Sequence, residues 1–487
     1  MTVTLTQLLG GRRIAGDVNI SGMTVDSRAV KPGDLFVALP GSKVDGRKFI
    51  PDAIKAGAAA ILTTEGLVVE GNGVPIIEDA NPRRRYAELA ARFHPNQPAM
   101  QVAVTGTNGK TSVADFTRQI WQKLGFQAAS VGTLGVRSEV VHKPGGLTTP
   151  DPMALHAALN ELADKGVDHA AIEASSHGLD QYRLDGVRLS AAAFTNLTRD
   201  HMDYHRTEQG YFYAKARLFG ELLGPGAGAV INVDDPWGQI LEDIAWAHGL
   251  RRLSVGMHEK AVLRLLSQEV TPTGQVIEAL FGGERFKVML PLVGAFQAHN
   301  ALMAAGLAIV CGAEPKPVFE ALEYLEGVPG RMELIGETKS GGAVFVDYAH
   351  TPDGLRTVLQ AARSHGPNRL KVVFGCGGDR DAGKRPQMGA IAAELADDVF
   401  ITDDNPRSEE ASAIRADIKT ACSSATEVAD RAQAIGQAIQ SLAAGDMLIV
   451  AGKGHEEGQI VGEQVLPFSD IETVKQILGG QGLKLGG

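Results

Sequence analysis

The sequence predicts an α/β protein of three domains, built on sheets of mainly parallel strands. Three observations carry this. Short apolar runs recur along the chain, each ending abruptly in glycine or polar residues, with helical patterns between them. Apolar strands alternating with helices are the mark of a parallel sheet covered on both faces. The length of 487 residues suits about three domains at roughly 150 residues each. Two breaks then divide the chain. His94-Pro95-Asn96-Gln97-Pro98 discourages any regular element through its prolines, and Val328-Pro329-Gly330 does the same further on. The expected domains are therefore 1–98, 99–330 and 331–487.

The first stretch contains TVDSRAVKPGDLFVALPG, rich in turn signals and short strand patterns, followed by a helical pattern over Pro82 to Phe93. In the middle stretch Val102-Ala103-Val104 leads into Thr105-Gly106-Thr107-Asn108-Gly109-Lys110-Thr111-Ser112. Ala170-Ala171-Ile172 leads into Glu173-Ala174-Ser175-Ser176-His177, and Ala229-Val230-Ile231 into Asn232-Val233-Asp234-Asp235. The last stretch repeats the theme. Val344-Phe345-Val346 precedes Asp347, and Val372-Val373-Phe374 precedes Gly375-Cys376-Gly377-Gly378-Asp379-Arg380. Val399-Phe400-Ile401 precedes Thr402-Asp403-Asp404-Asn405-Pro406-Arg407, and Leu448-Ile449-Val450 precedes Ala451-Gly452-Lys453-Gly454-His455-Glu456. Ligands of such sheets bind at the carboxyl ends of the strands, where these polar residues fall. A site shared by two α/β domains is the natural expectation.

Bulk properties narrow the function. A net charge of −10, from 47 basic and 57 acidic residues, argues against a general nucleic-acid binder, which carries a basic surface. Three cysteines without a CxxC pair argue against a disulfide framework or a structural zinc site. The stretch from Met1 to Asp17 lacks the apolar core of a signal peptide. The apolar run Ala301 to Ala313 is shorter than the ~18 residues a membrane span needs. A cytoplasmic protein without membrane insertion is expected.

Gly106-Thr107-Asn108-Gly109-Lys110-Thr111 resembles a phosphate-binding loop. Glycines let backbone N–H groups turn inward around phosphate oxygens, and the helix that should begin near Ser112 presents its positive end to the anion. Lys110 adds a charge, and the Thr111 hydroxyl can coordinate Mg²⁺. The loop departs from the usual GxxxxGKS or GxxxxGKT spacing, because Val104 holds the first glycine position. The competing reading is a glycine turn with a surface lysine.

The short form TGTNGKTS is typical of Mur ligases and folylpolyglutamate synthetases. Motifs from Asp26-Ser27-Arg28 to Phe468-Ser469-Asp470 resemble the diaminopimelate-adding members of the Mur ligase family over nearly the whole chain. The resemblance implies an N-terminal α/β domain for the uridine end of the substrate, a central P-loop-like ATPase domain and a C-terminal Rossmann-like domain for the amino acid. It implies ATP and Mg²⁺, a UDP-N-acetylmuramoyl dipeptide and meso-diaminopimelate as small-molecule partners, and action as a monomer. Val25, Ser27, Ser42, Lys43 and Val44 would contact the UDP end. Thr148, Thr149, Ser175, Gln181 and Arg183 would hold the muramoyl peptide. Ser175-Ser176 also reads as a helix N-cap, and both roles are compatible.

By the same resemblance Glu173 and His201 are Mg²⁺ ligands, and Lys215 carries a carbamate that ligates a second Mg²⁺. Histidine is an unusual ligand for so hard an ion. His201 and His205 also stand four apart, as zinc-binding histidines can, but Met202 occupies the glutamate position of HExxH. The alternative for Lys215 is a solvated helix lysine. Asn300, Arg331 and Asp347 match positions for adenine, phosphate and ribose, with Phe296-Gln297 where the family often has Phe-Asn. Arg380, Asp404, Asn405, Pro406, Arg407, Gly452 and Glu456 match the amino-acid site. The implied chemistry is acyl-phosphate formation on a substrate carboxylate, followed by amide formation. Rival readings are a folylpolyglutamate synthetase, a lysine-adding Mur ligase, or a nucleotide switch without ligase activity. The chain has no NKxD guanine-reading motif.

Overall fold

The protein is described by a computed structural model for residues 2–11, 16–41, 45–66, 73–271 and 274–480. Its internal contacts divide the chain into two compact units. The first comprises Met1–Thr105, Gly125–Ala192 and Ala214–Ala227; the second comprises Gly106–Leu124, Ala193–Tyr213 and Gly228–Gly487.

In the first unit four short strands pair in sequence order, all parallel: β1 (Gly22–Thr24), β2 (Asp34–Val37), β3 (Ala60–Thr64) and β4 (Ile76–Asp79). The helix Pro82–Phe93 occupies the predicted residues. Asn81 starts it by accepting from Arg84 N at 3.1 Å, and Pro82 has no N–H to leave unsatisfied in the first turn. Its apolar face, Tyr86, Leu89, Ala90 and Phe93, packs with Leu35 and Leu62 of the sheet. Burying a Leu or Phe contributes about 1.5–3 kcal/mol, so this face and not the arginine-rich one holds the helix.

A second sheet of the first unit contains β5 (Met100–Thr105), β6 (Ala128–Gly132), β7 (Gly135–Arg137), β8 (His142–Lys143) and β9 (His169–Glu173), in the order β8-β7-β6-β9-β5. β6, β9 and β5 are parallel, whereas β7 and β8 fold back antiparallel. Glu173 pairs with Val104 in register, which sets it at the carboxyl edge. The buried strand β10 (Ala191–Phe194) follows in the chain.

In the second unit β11 (Gly228–Asn232), β12 (Arg251–Gly256) and β13 (Leu263–Thr271) are parallel. β14 (Gly274–Phe281) and β15 (Glu284–Leu290) then continue as an antiparallel meander, which the expectation of a parallel sheet did not include. The cause is local. Gly282 and Gly283 have φ of 59° and 85°, the paired left-handed conformation of a two-residue hairpin turn that only glycine adopts cheaply.

The last sheet contains β16 (Glu333–Glu337), β17 (Ala343–Asp347), β18 (Leu370–Phe374), β19 (Asp398–Ile401), β20 (Thr426–Glu427) and β21 (Met447–Ala451), in the order β16-β17-β21-β18-β19-β20. All neighbours but β16 are parallel. Alternate residues face opposite cores: Phe345, Val372, Phe374 and Ile449 on one side, Val344, Val346, Val373, Leu448 and Val450 on the other. Because β21 fills the gap between β17 and β18, the segments after Asp347, Phe374, Ile401 and Ala451 converge at one edge. A short hairpin, β22 (Gly458–Val461) with β23 (Gln464–Pro467), follows. No helix among the described residues is long and apolar enough to cross a membrane.

Candidate functional site

The glycine loop opens the helix Lys110–Lys123, which starts two residues before Ser112. Gly106 and Gly109 have φ of 148° and 86°. A Cβ on Gly106 would lie 1.9 Å from Thr195 Oγ1, and one on Gly109 would lie 2.6 Å from Asn300 Oδ1. Both positions therefore require glycine, for conformation and for space. Asn196 holds the loop, accepting from Thr107 N through its carbonyl and from Asn108 N through Oδ1, each at 2.9 Å. Lys110 Nζ folds over the loop and donates to the carbonyls of Gly106 (3.0 Å) and Thr107 (2.7 Å). Lys110 is thus no idle surface lysine. Ser112 is buried in the helix's first turn.

Of the three residues expected for the nucleotide, Arg331 and Asn300 lie against this loop. Arg331 Nη2 donates to Thr111 Oγ1 at 3.0 Å, and its guanidinium lies over the Tyr348 ring at 4.4 Å. Asp347 accepts from Met332 N and Ala349 N, both at 2.7 Å. Burial pushes its carboxyl up to about 6, against the pull of Arg331 and those two amides. Asn300 Nδ2 donates to Gln297 Oε1 at 3.0 Å, both side chains being buried. Gln297, the departure from the family's asparagine, therefore serves to hold Asn300.

The same unit contains a cavity of about 180 Å³ at the converging edge of the last sheet. Arg380, Asp404, Asn405, Arg407, Gly452 and Glu456 all line it. Pro406 belongs to its supporting turn: a Cβ on Gly378 would lie 1.9 Å from the Pro406 carbonyl oxygen. Arg407 is left-handed, with φ 53°, and its Nη1 donates to Gly378 O at 2.8 Å. Burial, then the like charge of Arg380, lowers the Arg407 pKa. Burial, then Asp404, raises that of Glu456. The cavity thus joins guanidinium groups with carboxylates, the complement of a group carrying both a carboxylate and an ammonium.

His201 also lines this cavity. Its Nε2 lies 3.3 Å from Asp200 Oδ2. Burial raises Asp200, but His201, His350 and Lys384 outweigh it and hold the carboxyl low. The helix Met202–His205 is a single turn, bounded by left-handed His201 and by Arg206 at φ 63°. His205 packs against Tyr204 and Tyr211. The spacing of His201 and His205 is therefore not that of two ligands on one continuous helix. Among the described residues no group of three His, Cys, Asp or Glu side chains is arranged to hold a metal.

In the first unit Glu173 is buried, and accepts from Thr133 N at 2.7 Å and Thr133 Oγ1 at 3.2 Å. A Cβ on Gly132 would lie 2.1 Å from Glu173 Oε1. Thr133 Oγ1 also lies 3.1 Å from Thr148 Oγ1. Thr149 is wholly buried and donates to Glu173 O at 2.8 Å while accepting from Ser175 N at 2.9 Å. Ser175 caps the helix Ser176–Asp180, accepting from Gly178 N at 3.0 Å. Arg183 donates to Thr149 O (2.7 Å) and Gln181 Oε1 (2.8 Å). Lys215 is 1% exposed, so a solvated helix lysine is excluded.

A cavity of about 410 Å³ in this unit is lined by Val25, Gln181 and Arg183, with Arg83, Tyr86 and Asp151. Ser27 lies in a 3₁₀ turn capped by Asp26 and is not part of that lining. Ser42, Lys43 and Val44 lie outside the described residues. Sequence reading missed Arg83, Tyr86 and Asp151, which belong to helix and cap patterns without a chemical signature. Tyr348 and His350, which follow Asp347 in the predicted row of strand-end residues, and Lys384 were given no role from the sequence, yet all three line the smaller cavity.

Three family models match in succession: the Mur ligase family catalytic domain over residues 19–94, the Mur ligase middle domain over 104–308, and the Mur ligase glutamate ligase domain over 330–454. The chain is 55% identical over 467 residues to the UDP-N-acetylmuramoyl-L-alanyl-D-glutamate–2,6-diaminopimelate ligase of Bradyrhizobium diazoefficiens, covering 95% of this chain and 96% of that one. It is 53% identical to the ligase of the same name from Caulobacter vibrioides, with 99% of both chains covered. A solved structure of a ligase with that name superposes with a TM-score of 0.70 at 32% identity, over 99% of this chain and all of the other.

Proposed function

This chain belongs to the Mur ligase family, and from that premise we propose that it is the ATP-dependent ligase joining meso-2,6-diaminopimelate to the D-glutamate of UDP-N-acetylmuramoyl-L-alanyl-D-glutamate, a step in making the peptidoglycan precursor. The observation that carries the amino-acid assignment is the smaller cavity, with Arg380 and Arg407 alongside Asp404 and Glu456. Diaminopimelate differs from lysine by a distal carboxylate, which a guanidinium fork grips through parallel hydrogen bonds.

In the first step the substrate's γ-carboxylate oxygen attacks the γ-phosphorus of ATP, and ADP leaves. In the second the amine of diaminopimelate attacks the acyl carbon, phosphate leaves, and the amine's proton is lost. No side chain becomes a covalent nucleophile. Gly106, Thr107, Asn108, Gly109 and Ser112 would surround the phosphates with backbone and first-turn N–H groups. Lys110 would move from its two loop carbonyls to the transferring phosphoryl group, where its charge offsets the charge that develops there. Arg331 orients the Thr111 hydroxyl, and Asn300 and Asp347 would hold adenosine. Positioning supplies most of the acceleration in such transfers.

The Thr111 hydroxyl and the Glu173 carboxylate are hard oxygens of the kind Mg²⁺ takes, and the family resemblance adds His201 and Lys215; Thr111 and His201 belong to one compact unit, Glu173 and Lys215 to the other. Bound Mg²⁺ supplies neutralisation of phosphate charge. Lys215, buried in a helix, would act as a carbamate, which exchanges an ammonium that is costly to bury for an anionic oxygen ligand. Val25, Ser27, Ser42, Lys43, Val44, Thr148, Thr149, Ser175, Gln181 and Arg183 would hold the UDP substrate. Domains of 1–98, 99–330 and 331–487 would bind UDP substrate, ATP and amino acid in turn. The three family models match 19–94, 104–308 and 330–454, one to each proposed domain, which supports the division. We place the protein in the cytoplasm, as a monomer acting on small molecules without nucleic acid or membrane insertion. The test is ADP release, which should require both the UDP-muramoyl dipeptide and meso-diaminopimelate. Release with either alone, or a preference for lysine or a folate, would overturn the reading.

A further inference from the structure

Lys453 has no place in the reaction as described, yet it is wholly buried directly behind the smaller cavity. A buried ammonium is costly unless paired and hydrogen-bonded. Its Nζ donates to Asn405 Oδ1 at 2.9 Å and to Gly458 O at 2.7 Å. It lies 3.6 Å from Asp404 Oδ1 and 3.6 Å from Glu456 Oε2. Two consequences follow. First, Asn405 Oδ1 also accepts from Ile460 N at 2.9 Å. With two donors on that oxygen, the amide orientation is unambiguous, and Nδ2 is left to donate to Glu456 Oε2, which it does at 3.2 Å. Second, the ammonium faces both Asp404 and Glu456, so Lys453 ties the two carboxylates of this wall to one fixed point.

We propose that Lys453 is a positioning residue for amino-acid selection: acting through Asn405, it sets the Glu456 carboxylate to receive the distal ammonium of the incoming amino acid. The inference rests on the reading of this cavity as the diaminopimelate site. Gly452 fits the same design. A Cβ there would lie 3.0 Å from Asp404 Oδ2, at a φ of 120°, so the absence of a side chain leaves Asp404 its place beside Lys453.

The experiment compares meso-diaminopimelate with L-2-aminopimelate, the same carbon chain without the distal amine, in wild type and in Lys453→Met. Wild type should show a KM for aminopimelate about tenfold or more above that for diaminopimelate, the cost of one lost charged hydrogen bond. In Lys453→Met the ratio should fall below about threefold, through a raised diaminopimelate KM, with kcat and the ATP KM near wild type. A ratio retained in the variant would overturn the proposal. So would a parallel rise in the KM values of ATP and the UDP substrate, which marks a general structural role. Lys453→Gln, which keeps a donor but no charge, is the second variant; failure of both to fold would assign Lys453 to the fold alone. A wild-type chain that discriminates less than about threefold overturns the role of Glu456. One that incorporates neither compound overturns the functional reading itself.

Discussion

If Arg407 grips the distal carboxylate as proposed, replacing it with alanine should separate that recognition from the rest of catalysis. Of the five donors on a guanidinium, the Arg407 fork commits Nη1 to Gly378 O at 2.8 Å, and the remainder is available to a ligand in the cavity it lines. A hydrogen bond to a charged group is worth about 1.5–3 kcal/mol, or roughly 10- to 150-fold in kcat/KM. Removing the guanidinium also relieves its repulsion with Arg380, the like charge that helps lower its pKa. The loss should therefore sit toward the lower end, about 10- to 50-fold. Stability should change little. The left-handed backbone at φ 53° strains alanine about as much as arginine, by ~1–2 kcal/mol in either. The assay is the initial rate of ADP release at saturating ATP and UDP substrate, with diaminopimelate or lysine varied. The expected result is a fall for diaminopimelate and an unchanged, already poor, rate for lysine. A diaminopimelate rate within about threefold of wild type, or equal falls for both amino acids, would refute the reasoning.

Lys110→Ala should lower ADP formation about 10²–10³-fold, the usual effect of deleting one preorganised donor, while its unfolding temperature stays near wild type. Normal turnover would end the nucleotide-loop assignment. Lys215→Ala should be nearly inactive and partly restored by formate or acetate, which could stand in as the anionic oxygen ligand; full activity at limiting Mg²⁺ would exclude the carbamate. Burial pushes the Asp347 carboxyl up to about 6. Above that pH it is ionised and can accept from ribose hydroxyls, whereas below it the proton occupies one acceptor. The ATP KM should therefore rise as pH falls through about 6 in the wild type and stay flat in Asp347→Asn, measured by ADP release from about pH 5 to 8. A flat wild-type profile contradicts the ribose role.

Much of this protein was legible because its signals are local. The strands at Val102, Ala171, Val230, Phe345, Val373, Phe400 and Ile449 announce themselves by apolar runs ended by polar residues. A parallel strand buried on both faces has no other composition open to it. The helix Pro82–Phe93 carries its own cap and proline. Gly106 and Gly109 mark a backbone that other residues cannot adopt. The antiparallel meander after β13 was equally local, written in Gly282 and Gly283, and was passed over. The zinc-like spacing of His201 and His205 was discounted from the sequence because Met202 replaces the glutamate of HExxH, and the fold adds a second reason: spacing implies a common face only if the helix is continuous, and His201 and Arg206, both at positive φ, confine it to one turn.

By itself the sequence determined the strand–helix order, the glycine loop at a strand-to-helix junction and the family, since each depends on residues close together in the chain or on a whole pattern of motifs. Tertiary structure alone decided which polar residues are buried and which partners they meet. It buried Lys215 and Lys453, laid Arg331 across Thr111, and turned Gln297 from a doubtful substitution into the partner of Asn300. It also brought Arg83 and Tyr86 to the cavity that Val25, Gln181 and Arg183 line. The reason is physical: the energy of a charge or a hydrogen bond depends on its burial and its partners, and those partners arrive from strands and loops far away in the chain.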